Sequence, residues 1–170
     1  MSELAITVIG HDRPGIVADV AGTLAGLGAN LTDSTMTRLR GHFAMTLICT
    51  GPTADAVEEA LVPFCADGRL LATVREVRPE AAAKPVGEPY VLSVHGADRL
   101  GIVAAVTQVV ARAGGNITDL TTRLSAPLYL LVAEVDLPPS AADELSAALA
   151  EVAADLDVGL TLRRCGSDVL

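Results

Sequence analysis

The sequence predicts an α+β fold built twice, each half a βαββαβ module with an antiparallel sheet and both helices on one face. Three observations carry this. Gly10–Asp33 aligns without gaps to Gly96–Asp119, offset by 86 residues, with 13 of 24 positions identical. The hydrophobic period switches between strand-like runs and helical stripes in the same order in both halves. Between the halves, Pro79–Pro89 holds three prolines and a glycine, the composition of a short, semi-stiff linker. The expected boundaries are residues 1–78 for the first module, 79–89 for the linker and 90–170 for the second.

Each element has its own signal. Leu4–Ile9 is a short, nearly continuous apolar run, suited to a strand in the sheet centre. Ile16, Val17, Val20, Leu24 and Leu27 then recur at helical spacing, and Gly28 stands where a left-handed C-cap is wanted. Leu31–Leu39 and Phe43–Thr50 read as a hairpin around Arg40-Gly41. Val57, Leu61 and Phe64 form a second helical stripe, and Leu70–Val77 is a closing strand rich in branched residues. The second half repeats the pattern: Tyr90–His95, the stripe Ile102/Val103/Val106/Val110 with Gly114 after it, then strands near Ile117–Leu124 and Leu128–Asp136. Pro138, Pro139 and Ser140 open a helix with Leu145, Leu149, Val152 and Leu156 on one face, followed by a strand near Gly159–Arg164. After a one-residue deletion, Arg38-Leu39 matches Arg123-Leu124. This order is the ferredoxin-like plan.

Composition narrows the function. Apolar residues make up 51% of the 170, enough for a sizeable core. The longest stretch free of Asp, Glu, Lys and Arg is the 14 residues Gly41–Ala54, short of the ~20 needed to span a membrane. The start MSELAITVIGHD carries neither a basic region nor a small-residue cleavage site, so a cytoplasmic protein is expected. Cys49, Cys65 and Cys165 are too widely spaced for a zinc site and odd in number. A net charge of −9, no Trp and four aromatics offer nucleic acid neither counter-charges nor stacking platforms. His11, His42 and His95 do not correspond between the halves, and no nucleophile elbow or phosphate loop occurs. No enzyme activity, metal or cofactor is expected.

The repeated residues concentrate at the end of strand one, the first turn of helix one and the start of strand two, three places expected to meet. A helix N-terminus offers N–H groups and the positive end of the dipole to an anion. Asp12 and Asp98 are placed as N-caps or as site residues. Gly15 and Gly101 either leave the first turn bare for a ligand carboxylate or allow close helix–strand packing. Asn30 and Asn116 suit left-handed turn geometry or an amide that donates to a carboxylate and accepts from an ammonium. Asp33 and Asp119 offer that ammonium an anionic partner or are plain exposed strand carboxylates. Gly22-x-x-x-Gly26, absent from the second half, reads as helix packing.

At DRPGIV…GANLTD and DRLGIV…GGNITD the chain resembles the ACT domain, a small-molecule regulatory module often specific for amino acids, and the match covers nearly the whole chain. Among tandem forms it is similar to the glycine cleavage system transcriptional repressors. The resemblance implies an amino acid held at the loop from strand one to helix one, facing strand two of a neighbouring ACT domain. Carried over, this marks Asp12, Arg13, Gly15, Ile16, Asn30 and Leu31, and in the second half Asp98, Arg99, Gly101, Ile102, Asn116 and Ile117. It also implies a non-enzymatic adaptor acting through a partner transcription factor, without DNA contact of its own. The other function it implies is a regulatory subunit of a separate biosynthetic enzyme. A homodimer fits either. An RNA-binding protein on the same scaffold would need aromatics on the central strands, where Phe43 stands alone.

Overall fold

Alternation decides the first strand. Leu4, Ile6 and Val8 are buried along β1 (Glu3–His11), while Ala5, Thr7 and Ile9 point to the opposite face. The computed structural model describes residues 3–78 and 87–166, and the chain divides into two units, Met1–Ala81 and Ala82–Leu170. In the first, β1 is followed by α1 (Ile16–Gly26), β2 (Asn30–Leu39), β3 (His42–Thr50), α2 (Ala54–Cys65) and β4 (Leu70–Val77). The four strands pair antiparallel in the order β2-β3-β1-β4. In the second, β5 (Glu88–Ala97), α3 (Ile102–Arg112), β6 (Asn116–Ser125), β7 (Leu128–Leu137), α4 (Ala141–Leu156) and β8 (Val158–Arg164) form the order β6-β7-β5-β8. The repeated βαββαβ fold stands as expected.

Each unit has one core, between its sheet and its helices. In the first, Ile16, Val20 and Leu24 of α1 meet Leu4, Ile6, Phe43 and Leu47, with Val57 and Leu61 from α2. In the second, Ile102, Val106, Val109 and Val110 of α3 join Leu92, Val94, Leu131, Val135, Leu145 and Leu149. Val17, Leu27 and Val103, assigned to the buried stripes by spacing, are instead exposed on the flanks of their helices. The glycine caps are Schellman motifs. Gly28 (φ 74°) donates to the Ala25 carbonyl and Ala29 to Leu24, and Gly114 (φ 73°) and Gly115 repeat this toward Ala111 and Val110.

Three readings are corrected. The deletion that aligned Arg38 with Arg123 does not exist. Both hairpins have the same register, so Arg38 stands opposite Phe43 while Arg123 stands opposite Leu130, and the counterpart of Arg123 is Thr37. A one-residue slip reverses the face of a strand residue, so the two arginines lie on opposite faces of their sheets. Gly22 and Gly26 do not mediate helix packing, because a Cβ on either would find no heavy atom within 4 Å. The linker falls mostly outside the described residues, and its last two residues, Glu88 and Pro89, already belong to β5. Among the described residues no helix is long and apolar enough to cross a membrane.

Candidate functional site

The loop after β1 is built around a left-handed glycine. Gly15 (φ 88°) is the N-cap of α1 and accepts the first helical bond from the Asp19 N–H at 2.9 Å. Gly101 (φ 91°) does the same for α3, accepting from Ala105 at 2.9 Å. Asp12 and Asp98 are therefore not N-caps. A two-residue turn separates them from the helix, and neither helix has a side-chain cap. Nor do the glycines serve close packing: Gly101 has no heavy atom within 4 Å of where a Cβ would stand, and Gly15 only the Arg13 guanidinium at 3.8 Å. Their φ demands glycine, and the first turn is left open as a consequence.

Ile16 and Ile102, both buried, anchor the helix starts to the cores. The charged pair in the loop then finds different partners in each unit. Arg13 donates to Asp19 at 2.7 Å, on its own helix, and to the Pro14 carbonyl at 3.2 Å. Arg99 instead reaches Asp157 at 2.8 Å, at the junction of α4 and β8. Asp12 accepts from Arg38 at 3.4 Å, and its N–H donates to the Gly41 carbonyl at 3.0 Å, which ties the loop to the β2–β3 turn. In the first unit His11, Asp12 and Arg13 also line a pocket of about 260 Å³ closed on the other side by Asp67, Arg69 and the α2 residue Phe64.

Asn30, Leu31, Asn116 and Ile117 do not join this loop within a unit. Asn30 pairs with Thr50, which pairs with Glu3, whereas Asp12 follows His11 at the other end of β1. The nine residues of β1 span ~26 Å at ~3.3 Å each, so the expectation that the three places meet is wrong inside one unit. The helix between them runs back along the strand and carries the chain to the far end. Asn116 pairs likewise with Asp136, which pairs with Pro89 near the start of β5, whereas Asp98 follows Ala97 at its other end. Neither asparagine is left-handed, because positive φ falls on Gly28 and Gly114 before them.

Sequence reasoning missed the threonine of the repeated N-x-T-D. A β-bulge lies between Leu31 and Asp33, and again between Ile117 and Asp119. There Thr32 donates to the Ile48 carbonyl at 3.3 Å and Thr118 to the Glu134 carbonyl at 3.4 Å. Its repetition in both halves was the available signal. Asp33 and Asp119 are exposed at the first paired position after the bulge. Burial pushes the Cys49 thiol up, away from the thiolate that chemistry would need.

The family model described as the ACT domain matches residues 2–72 and 88–163. The chain belongs to the ACT domain family. A UPF0237 protein of Methanopyrus kandleri is 46% identical over 55 residues, 32% of this chain and 61% of that protein. The chain therefore spans less than two thirds of that relative's length. Another UPF0237 protein, from Methanococcus maripaludis, is 32% identical over 78 residues, 45% of this chain and 87% of its own. Among solved structures, a Galdieria sulphuraria protein of unknown function shares 31% identity at TM-score 0.81, covering 97% of this chain and 99% of that one. A second, provisionally assigned as a glycine cleavage system transcriptional repressor, shares the fold of both ACT units at TM-score 0.73 and 20% identity, covering 98% of each chain. The chain carries two ACT domains in tandem.

Proposed function

We propose that this tandem ACT protein senses an amino acid without catalysing a reaction. It acts in the cytoplasm as an adaptor or repressor on a partner transcription factor in glycine or one-carbon metabolism. The observation that carries the sensing is the loop at Asp12, Arg13, Gly15 and Ile16, repeated at Asp98, Arg99, Gly101 and Ile102. In both ACT units an acid, a guanidinium and an open helix N-terminus stand together, a set that complements both charges of a zwitterion. Asn30, Leu31, Asn116 and Ile117 contribute to such a site only if offered by a different unit or a second copy. The net charge of −9 supports action through a protein partner rather than on DNA, and the provisional assignment of the full-length structural neighbour supports the choice of pathway.

A thermal-shift screen of the purified chain against the twenty common amino acids tests the sensing. A ligand at 100 times its Kd adds ~2.7 kcal/mol, so a binder stands out, and a flat screen overturns the proposal. A transcription factor co-purifying with the chain, in an amino-acid-dependent way, supports the adaptor role. A biosynthetic enzyme recovered instead would make it that enzyme's regulatory subunit, and tight promoter binding by the chain alone would refute the adaptor role.

A further inference from the structure

We propose that the outer face of the first unit carries a site for a divalent transition-metal ion such as zinc, with His11 and His42 as its two protein ligands. The proposal goes beyond the sensing reading and does not depend on it.

Strand register brings the two imidazoles together, although neither histidine belongs to the repeated motifs. His11 ends β1, His42 begins β3, and they are the last partners of the β1–β3 ladder. Just beyond them the Asp12 N–H donates to the Gly41 carbonyl at 3.0 Å, which makes His11 and His42 a non-hydrogen-bonded pair. In such pairs the Cα atoms approach to ~4.5 Å and the side chains lie closest. Val8 and Phe43 point into the core, so by alternation both histidines stand on the face away from the helices.

The spacing fits a metal. The ring centres are 5.3 Å apart, with the planes tilted by 38°. A ring whose nitrogen lies ~2.0–2.1 Å from zinc has its centre ~3.2 Å from the ion. Two centres 5.3 Å apart then subtend ~110° at the ion, the tetrahedral angle that zinc adopts. Rotation about χ2 aims the nitrogens and moves the centres little. Imidazole is the donor that suits zinc, nickel and copper.

The donors are available and their backbone is held. Both side chains are exposed, and among the described residues neither makes a hydrogen bond or an ion pair. The His11 N–H donates to the Arg69 carbonyl at 3.0 Å, so β4 fixes one side of the pair, and Leu39 of β2 stands opposite His42 on the other. Asp12 is held by Arg38 at 3.4 Å and adds no third ligand. No group of three metal-binding side chains occurs among the described residues, so two tetrahedral positions stay open to water or an incoming donor.

The second unit lacks the pair. Ala97 and Leu128 are the corresponding last partners of the β5–β7 ladder. Its one histidine, His95, lies two residues earlier, so close over Gly159 that a Cβ there would strike the ring.

Calorimetry with zinc chloride on the untagged full chain tests the site, with magnesium chloride as the control. One zinc ion per chain should bind and magnesium should not, since magnesium prefers oxygen donors. His11→Ala and His42→Ala should each abolish binding at zinc concentrations that saturate the parent, because a single imidazole remains. His95→Ala and Cys165→Ser should bind as the parent does. The chain has three histidines, so side-chain proton–nitrogen spectra separate them: zinc should move the His11 and His42 signals and leave His95 in place. Absence of zinc binding overturns the proposal. Binding that survives both His11→Ala and His42→Ala, or that His95→Ala or Cys165→Ser removes, overturns it as well, because the ion is then held elsewhere.

Discussion

The two β1–α1 loops share Asp-Arg-x-Gly-Ile and the same backbone, yet their arginines do different things. Arg13 folds onto Asp19 of its own helix, and Arg99 crosses to Asp157, 58 residues away. The cause lies in two positions outside the shared motif. Ala105 replaces Asp19, and Asp157 takes the place of the cationic Arg69. Arg13 faces a like charge across the pocket and turns away, and Arg99 faces an acid and closes on it. A duplicated residue keeps its backbone role, because that depends on local dihedrals, while its side-chain role follows partners that have diverged.

The sheets diverge in the same way. Phe43 and Tyr129 stand opposite Gly10 and Gly96, but Phe43 is fully buried and Tyr129 only half so. On the outer face, the exposed pair Ile9 and Leu71 corresponds to His95 lying over Gly159.

The largest effect should come from the core. Phe43→Ala is expected to cost ~3–5 kcal/mol and Tyr129→Ala clearly less, since a half-buried ring leaves a smaller void. Both tyrosines lie in the second unit, so their fluorescence follows that unit while circular dichroism follows both. Phe43→Ala should move the dichroism transition only, and a common shift of the two signals would show the units unfolding as one.

Next come Gly15→Ala and Gly101→Ala. The φ values of 88° and 91° put a Cβ where L-residues lose ~1–2 kcal/mol, and the two should fall by the same amount. Unequal denaturant midpoints would break the claim that this backbone role is shared. Smaller still, Arg13→Ala and Arg99→Ala should each cost below ~1 kcal/mol, as exposed, screened pairs do. They should differ in hydrogen exchange: Arg99→Ala speeds exchange at the β5–α3 loop, which loses its tie to α4, and Arg13→Ala leaves the first loop unchanged. Equal responses would erase the contrast between the loops. The least effect is expected from Asn30→Ala and Asn116→Ala, within ±0.5 kcal/mol by thermal unfolding, because both side chains are exposed at strand ends.

Most of the fold was legible because its signals are local. Gly28 and Gly114 mark helix ends by a conformation other residues avoid, and the stripes of α1 and α3 mark which face is inward. The hairpin expected around Arg40-Gly41 from its two flanking apolar runs turns in the structure on two adjacent left-handed residues (φ 49° and 85°). Candidate site residues were less legible. Repetition singled out Asp12, Gly15 and Asn30 correctly as shared, but it could not say that the first two lie a strand's length from the third. Nor could it find that His11 and His42 stand together, since they belong to no repeated motif.

By itself the sequence determined the duplication, the order and type of the elements, and the glycines that fix each loop, since each depends on a few neighbouring residues. Only the tertiary structure decided that Gly15 and not Asp12 starts the helix, that Arg38 and Arg123 lie on opposite faces, and that Arg13 and Arg99 take different partners. Those outcomes depend on strand register and on distances between residues tens of positions apart. A charge reaches whatever the fold brings within a few ångströms of it, and spacing along the chain does not record that.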